Sequence, residues 1–280
     1  MKTIAILYIA TGPYIAFWND FYNTFEKYFL NNTEKHYFVF TDAKNIYQAS
    51  NTRVHTIFQE SSPWPLPTLL KFHQFLTIRE ELLKYDYCYQ SNANIICKDY
   101  VLEEEFLPRK EKGEDLFFVQ HPGYLFNKAV DFPYERSSKS LAYVPYNKGK
   151  IFVFGAMNGG FSSSYIDFIE KLDANIVEDL KHNVIALWHD ESHVNKALIE
   201  INNFRLLPSA YCYPVGFDVP GKCIITGVPK NTVFDVNSFK GVYSQKKISL
   251  IQKIYIRFLK NRFIKIHNRF CWIRDSLFRR

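Results

Sequence analysis

The sequence predicts an α/β protein with a mostly parallel central sheet covered by helices on both faces, and three observations predict it. Short apolar runs alternate with stretches of helical period through the first third of the chain, the pattern of strands joined by crossover helices. Turn-forming clusters, Thr11-Gly12-Pro13 and Ser91-Asn92-Ala93-Asn94, close the runs they follow. A composition of 47% hydrophobic and 22% charged residues over 280 positions belongs to a globular protein able to bury one large core or two modest ones.

Ile4 to Ala10 reads as a buried strand. Only Lys2 precedes it as a charge and Thr11-Gly12-Pro13 breaks it at once, which argues against a signal peptide. Trp18, Phe21, Tyr22, Phe25, Tyr28 and Phe29 then recur at the spacing of one helical face. Tyr37 to Phe40 and Val54 to Phe58 are the next strands, Leu69 to Leu83 a helix, and Tyr85 to Tyr89 a fourth strand. On such sheets ligands bind beyond the carboxyl ends of strands, which are Ala10-Thr11-Gly12 and Ser91 to Asn94 here. Aromatics make up 18% of the chain; most belong to the core, with a few available to stack on a ligand. Five cysteines, at 88, 97, 212, 223 and 271, include no CxxC pair and fit a reducing compartment better than a disulfide framework. No run of 18 or more apolar residues exists to span a membrane.

The densest chemistry lies in Trp188-His189-Asp190-Glu191-Ser192-His193-Val194-Asn195, between the apolar lead-in Ile185 to Leu187 and the helical spacing of Ala197-Leu198-Ile199. It reads as a helix start facing a cavity, with two chemical readings. Glu191 could be a catalytic carboxylate. Alternatively His189 and His193, four apart on one helical face, could hold zinc. The metalloprotease helix wants Glu directly after the first His, whereas Asp190 stands there; the one-residue shift turns the carboxylate about 100° away from a metal-bound water. The bland alternative is a helix N-terminus whose acids answer the dipole.

The W-H-D-E-S-H-x-N pattern resembles glycosyltransferase family 6, the retaining enzymes of blood-group A and B and α-1,3-galactosyl antigen synthesis. Six further stretches resemble the family in the same order: Tyr37 to Asp42, His121-Pro122-Gly123-Tyr124, Tyr134-Glu135-Arg136, Ala142 to Pro145, Gly155-Ala156 with Gly159-Gly160, and Val228-Pro229-Lys230-Asn231. Together they run from about Thr3 to about Val236.

The resemblance implies a GT-A fold, a single catalytic domain over 1–243, and a UDP-sugar donor. It implies Glu191 as the catalytic residue on the face opposite the leaving UDP, and Asp190 on donor-sugar hydroxyls. The donor would also rest against Ile9, Ala10, Thr11, Tyr14, Asn92, Ala93, Asn94, Phe154, Gly155 and Ala156. His121, Gly123 and Trp188 would meet the acceptor galactose. Asn92-Ala93-Asn94 stands where the animal enzymes have Asp-x-Asp, and neutral amides are poor ligands for a hard divalent cation, so no metal cofactor is expected. Lys230, at the family's diphosphate lysine, and Lys71, near its donor-site arginine, would then balance the charge on departing UDP. Val236 stands in place of a further family arginine, and Pro214 occupies the stretch of a late acceptor aspartate. Ala156 leans toward galactose by comparison with the B enzyme, but a GalNAc-transferring member shares it and Gly123 leaves room, so UDP-GalNAc is the expected donor and UDP-Gal the alternative. The acceptor would be a galactose-containing glycan, fucosylated blood-group-H-like chains included. The animal members carry a membrane anchor and stem; their absence here fits a bacterial-type cytoplasmic version.

Residues 244–280 form a second region. Eleven basic residues against Asp275 give the tail +10, while the whole chain is +7, so the rest is net negative. Ile251, Ile254, Tyr255, Phe258, Leu259, Phe263, Ile266, Phe270, Ile273 and Leu277 recur at helical spacing, predicting a basic amphipathic helix suited to the inner face of an anionic membrane. A docked structural helix and an RNA-binding tail are the alternatives. Confinement of positive charge to the tail argues against a nucleic-acid-binding fold, and a zinc protease would need a third ligand.

Overall fold

A computed structural model describes residues 1–216, 221–236 and 239. Met1–Val236 forms one compact unit. The basic tail of 244–280 lies outside the described residues. In chain order the elements are β1 (Lys2–Ile9), α1 (Trp18–Tyr28), β2 (Thr33–Thr41), β3 (Val54–Phe58), α2 (Leu66–Leu69), α3 (Lys71–Leu76), α4 (Arg79–Leu82), β4 (Tyr87–Ser91), β5 (Ile95–Cys97) and α5 (Glu103–Phe106). They continue with β6 (Leu116–Gln120), β7 (Val153–Phe161), α6 (Ser162–Lys181), α7 (Asp190–Ala197), β8 (Phe204–Leu207) and β9 (Ile225–Gly227).

Seven strands make the central sheet in the order β3-β2-β1-β4-β7-β6-β8. β3, β2, β1 and β4 run parallel, as do β6 and β8, while β7 is antiparallel to both its neighbours. The expected mostly parallel sheet is therefore present. β1 is buried on both sides over Ile4 to Tyr8, which is why it reads as a continuous apolar run rather than an alternation. Ile4, Ile6 and Tyr8 join Trp18, Phe21 and Phe25 of α1 on one face; Ala5 and Leu7 join Phe72, Phe75, Ile166 and Ile169 on the other.

Two local expectations differ from the structure. The single helix predicted over Leu69 to Leu83 is three short pieces, α2 to α4. Leu70 leaves helical geometry at φ −98°, ψ 13°, and the β-branched pair Thr77-Ile78 ends α3. There the Thr77 hydroxyl donates back to the Gln74 carbonyl at 2.6 Å, an alternative to the helical ladder. The fourth strand starts at Tyr87, two residues later than expected.

β7 carries the feature that shapes the site. Phe118 pairs with Asn158 and Gln120 with Val153, so Phe154 to Met157 bulge against the single residue Val119 of β6. Such a bulge frees backbone groups from the ladder for other partners. β5 and β9 form a separate antiparallel pair, Ile95 opposite Gly227, and thereby bring Val228-Pro229-Lys230 beside Asn92-Ala93-Asn94. Among the described residues no helix is long and apolar enough to cross a membrane.

Candidate active site

The 188–195 cluster holds a helix start, as expected, and α7 begins at Asp190, with Asp190 and Glu191 in its first turn, where the helix dipole favours negative charge. The residue before it, His189, has φ 55° and ψ −126°, a strained conformation for a side chain with a Cβ. The chain turns sharply there: the Trp188 N–H donates to Ser192 Oγ at 3.0 Å and the His189 N–H to the Ala186 carbonyl at 2.9 Å. Glu135, buried, accepts the Leu187 N–H at 2.6 Å and the Ser137 N–H at 2.7 Å, which ties the Tyr134-Glu135-Arg136 stretch to the lead-in.

Glu191 sits directly under the β7 bulge. Its Oε2 accepts the Gly155 N–H at 2.8 Å. A Cβ on residue 155 would lie 2.7 Å from Glu191 Cβ, so glycine is the residue that permits this approach. Burial lifts the Glu191 carboxyl from an ordinary 4.5 to about 7; the Gly155 N–H opposes the rise, the charge of Asp190 adds to it, and Lys71 opposes it. Asp190, 3% exposed, is ion-paired with Lys71 at 2.5 Å, and Lys71, 6% exposed, also donates to the Gly155 carbonyl at 2.9 Å. The Lys71 charge is thus held by Asp190 beneath the bulge rather than presented as an open cation.

The turn Asn92-Ala93-Asn94 is fixed at each residue. Asn92 N–H donates to the Ala156 carbonyl at 3.1 Å, and the Ala93 carbonyl accepts from Tyr8 OH at 3.0 Å. Asn94 Nδ2 donates to the Val228 carbonyl at 2.8 Å, and the Val228 N–H returns to the Asn94 carbonyl at 2.7 Å. A carboxylate has no N–H and could not make the Nδ2 contact. Beyond that clamp Lys230 Nζ lies 5.2 Å from the centre of the Tyr14 ring. Tyr14 caps the turn that follows Ile9, Ala10 and Thr11, donating its N–H to the Thr11 carbonyl, while Asp42 accepts the Gly12 N–H at 2.7 Å.

On the acceptor side His121 Nδ1 accepts the Gly123 N–H at 3.0 Å, and its ring centre lies 5.3 Å from that of Phe154. Burial depresses the imidazole to about 4, so it is neutral, and with Nδ1 accepting from Gly123 its proton lies on Nε2, which is left as a donor. Trp188 is 45% exposed, an open indole face. Trp64, 43% exposed, meets the His189 ring edge-on at 5.3 Å.

The structure removes the helical face that the zinc reading needed. His189 precedes α7 rather than lying on it, and His193 is buried 3.5 Å from Asp179 and depressed to about 4 by burial. Among the described residues no cluster of three or more His, Cys, Asp or Glu side chains could hold a metal ion.

The strand-end turns, the glycine-backed acidic pair at a helix start, and the Val-Pro-Lys loop clamped beside the Asn-Ala-Asn turn are those expected of one sequence family, and the model of glycosyltransferase family 6 matches residues 1–226. The chain belongs to glycosyltransferase family 6. It is similar to the O-antigen biosynthesis glycosyltransferase WbnI of Escherichia coli, 35% identical over 75% of this chain and 88% of that protein. It is also similar to histo-blood group ABO system transferase 2 of Rattus norvegicus, 26% identical over 82% and 70% of the two chains. Globoside alpha-1,3-N-acetylgalactosaminyltransferase 1 of Homo sapiens is 26% identical over 75% of this chain and 61% of its own. The sheet of this family 6 member is of the GT-A type.

Four residues at this family 6 site escaped the sequence analysis as site residues. Asn195 Nδ2 donates to the Glu191 and Val153 carbonyls while its Oδ1 accepts the Val153 N–H, cross-linking α7 to β7 where the bulge begins. Tyr124 feels the Glu191 charge, which adds to burial in raising its phenol. Gln90 and Asn158 both donate to the Gly155 carbonyl. Their signal was present: each is a polar residue inside a run destined for full burial, or part of a motif already quoted.

Proposed function

We propose that this family 6 glycosyltransferase is a retaining, metal-independent α-1,3-N-acetylgalactosaminyltransferase that uses UDP-GalNAc and a galactose-containing acceptor. The observation that carries it is Glu191, a mostly enclosed carboxylate aimed by the Gly155 backbone and, among the described residues, in no ion pair. Opposite a departing UDP, its ionised form either attacks the anomeric carbon to give a glycosyl ester, displaced in turn by the acceptor hydroxyl, or stabilises an oxocarbenium-like centre while the hydroxyl enters on the leaving-group side. Both routes retain configuration. Asp190 is read as the partner of donor-sugar hydroxyls, held in place by Lys71. Neutral His121 and the open Trp188 face are read as the hydrogen-bonding and stacking groups for the acceptor ring. The name of one relative, a globoside alpha-1,3-N-acetylgalactosaminyltransferase, supports GalNAc as the sugar.

The donor set at Asn92-Ala93-Asn94 does not fit a divalent cation, because both side chains are neutral amides and bring no carboxylate to a hard ion. Lys230 is read as the diphosphate cation in its stead. Transfer from UDP-GalNAc to galactose-terminated oligosaccharides is expected at full rate in EDTA, with kcat/KM above that of UDP-Gal. Loss of activity on chelation and its return with manganese would overturn metal independence; a higher kcat/KM for UDP-Gal would reassign the donor. Lys230→Ala is expected to weaken UDP binding by roughly 1.5–3 kcal/mol in calorimetry, the scale of a desolvated charge-assisted contact; unchanged binding would remove Lys230 from the donor site.

We extend the reading to the tail of 244–280 from its sequence alone: a basic amphipathic helix holding the enzyme at the inner face of a bacterial membrane. Each Lys or Arg near an anionic surface contributes on the order of 1 kcal/mol, so adsorption should be firm and salt-sensitive. Full-length protein is expected to sediment with anionic vesicles and protein truncated after Tyr243 to stay in solution; equal partitioning at low salt would end this reading.

A further inference from the structure

Gly155 meets two conflicting demands. It must be glycine, because a Cβ would lie 2.7 Å from Glu191 Cβ, and it must aim its N–H at Glu191 Oε2. Glycine has the widest backbone freedom of any residue, and this one lies in a bulge where the ladder to β6 is interrupted. Left alone it would hold the carboxylate poorly.

The structure answers with a clamp on the neighbouring carbonyl. The Gly155 C=O accepts from Lys71 Nζ at 2.9 Å, Asn158 Nδ2 at 3.2 Å and Gln90 Nε2 at 3.3 Å. Gln90 and Asn158 are 1% and 0% exposed, so neither amide has water as an alternative partner. Tyr165, also fully buried on α6, donates its OH to Asn158 Oδ1 at 2.8 Å, which orients that amide with its NH₂ toward Gly155. Residues from α3, β4 and β7 thus converge on one carbonyl, with Tyr165 of α6 behind one of them. A buried polar network of this kind is costly when incomplete and rigid when satisfied.

We propose that Gln90, Asn158 and Tyr165 are positioning residues for Glu191, acting by fixing the Gly155 backbone so that its N–H stays on the carboxylate. The inference rests on the reading of Glu191 as the catalytic carboxylate. It extends that reading to three fully buried residues behind the bulge. The charged and titratable groups facing Glu191 are Asp190 on its own helix, Lys71 on α3, and Tyr124 and Cys212 from flanking segments. None of them is itself replaced when Gln90 or Tyr165 is changed; Tyr165 feels the charge of Asp190, and Lys71 shares the Gly155 carbonyl with Gln90.

Tyr165→Phe removes one oxygen and frees Asn158; Gln90→Met keeps length and removes one donor. The test is titration of the Glu191 carboxyl by carbon-13 NMR in glutamate-labelled protein, assigned with Glu191→Gln, together with the pH profile of kcat. In both variants the Glu191 midpoint and the acid limb of kcat are expected to move alkaline by about half a pH unit or more, a roughly twofold loss of the ionised fraction at neutral pH. KM for UDP-GalNAc should stay within about twofold, with the rate largely restored above pH 8.5 as Glu191 ionises. A purely structural role would lower kcat equally at every pH and leave the midpoint in place, and that result in both variants overturns the proposal. Should Tyr165→Phe fail to fold, Gln90→Met decides alone. The NMR midpoint needs no turnover, so a protein that transferred no sugar would refute the transferase reading while the clamp was still judged by titration.

Discussion

Glu191→Gln is expected to lower kcat by about 100-fold or more while leaving UDP affinity close to that of the wild type, since the change removes charge stabilisation at the reacting carbon with little loss of bulk. The Gln side-chain oxygen can still accept the Gly155 N–H. Two pH effects accompany it. The ionised carboxylate is the reactive form and the group sits at about 7, so kcat of the wild type should climb as pH rises through 7 and level off above it. Stability runs the other way. The folded protein holds this proton more tightly than the unfolded chain, whose carboxyl titrates near 4.5, so wild-type stability falls as pH rises through that window. The Gln variant never ionises and should melt higher than wild type at pH 8, by on the order of 1 kcal/mol or more. An inactive variant that also loses UDP affinity and melts lower would make Glu191 a structural residue.

That opposition of activity and stability explains why the site was partly legible in sequence. A carboxylate beside a second acid, in a segment that must be enclosed, is a poor choice for folding alone, and the Asp190-Glu191 pair announced itself for that reason. The parallel strands were legible because burial on both faces makes them continuous apolar runs, as in Ile4 to Tyr8. β7 was not. Its sequence, Val-Phe-Gly-Ala-Met-Asn-Gly-Gly-Phe, carries three glycines that argue against a strand. They are there because neighbours come too close for side chains: a Cβ on Gly159 would lie 2.2 Å from the Cys88 carbonyl and 2.6 Å from the Phe117 ring. The breaks within Leu69 to Leu83 were invisible because apolar spacing survives them: Leu69, Phe72, Phe75 and Leu82 all reach the same core. For Lys71 the sequence shows a charge without its partner; the fold adds that α3 delivers it to Asp190.

That ion pair sets the last expectation. Lys71→Ala should destabilise the protein by about 3–5 kcal/mol at neutral pH, because it leaves the Asp190 carboxylate buried without a counter-ion and takes a donor from the Gly155 carbonyl. For a protein of this size that is a fall in Tm on the order of 10 °C. Loss of the cation also removes one of the two influences that hold the Glu191 carboxyl down, so the acid limb of the surviving activity should move alkaline. Pairing the change with Asp190→Asn separates the two effects. In Lys71→Ala/Asp190→Asn no buried charge is stranded, and much of the Tm should return, whereas kcat should remain low because the groups that orient the donor sugar and tune Glu191 are gone. Thermal melts and pH profiles of the two single variants and the double variant close the cycle. If Lys71→Ala melts within about 1 kcal/mol of the wild type, Asp190 finds another partner or water, and the ion pair is not what holds the acidic turn of α7 against the bulge of β7.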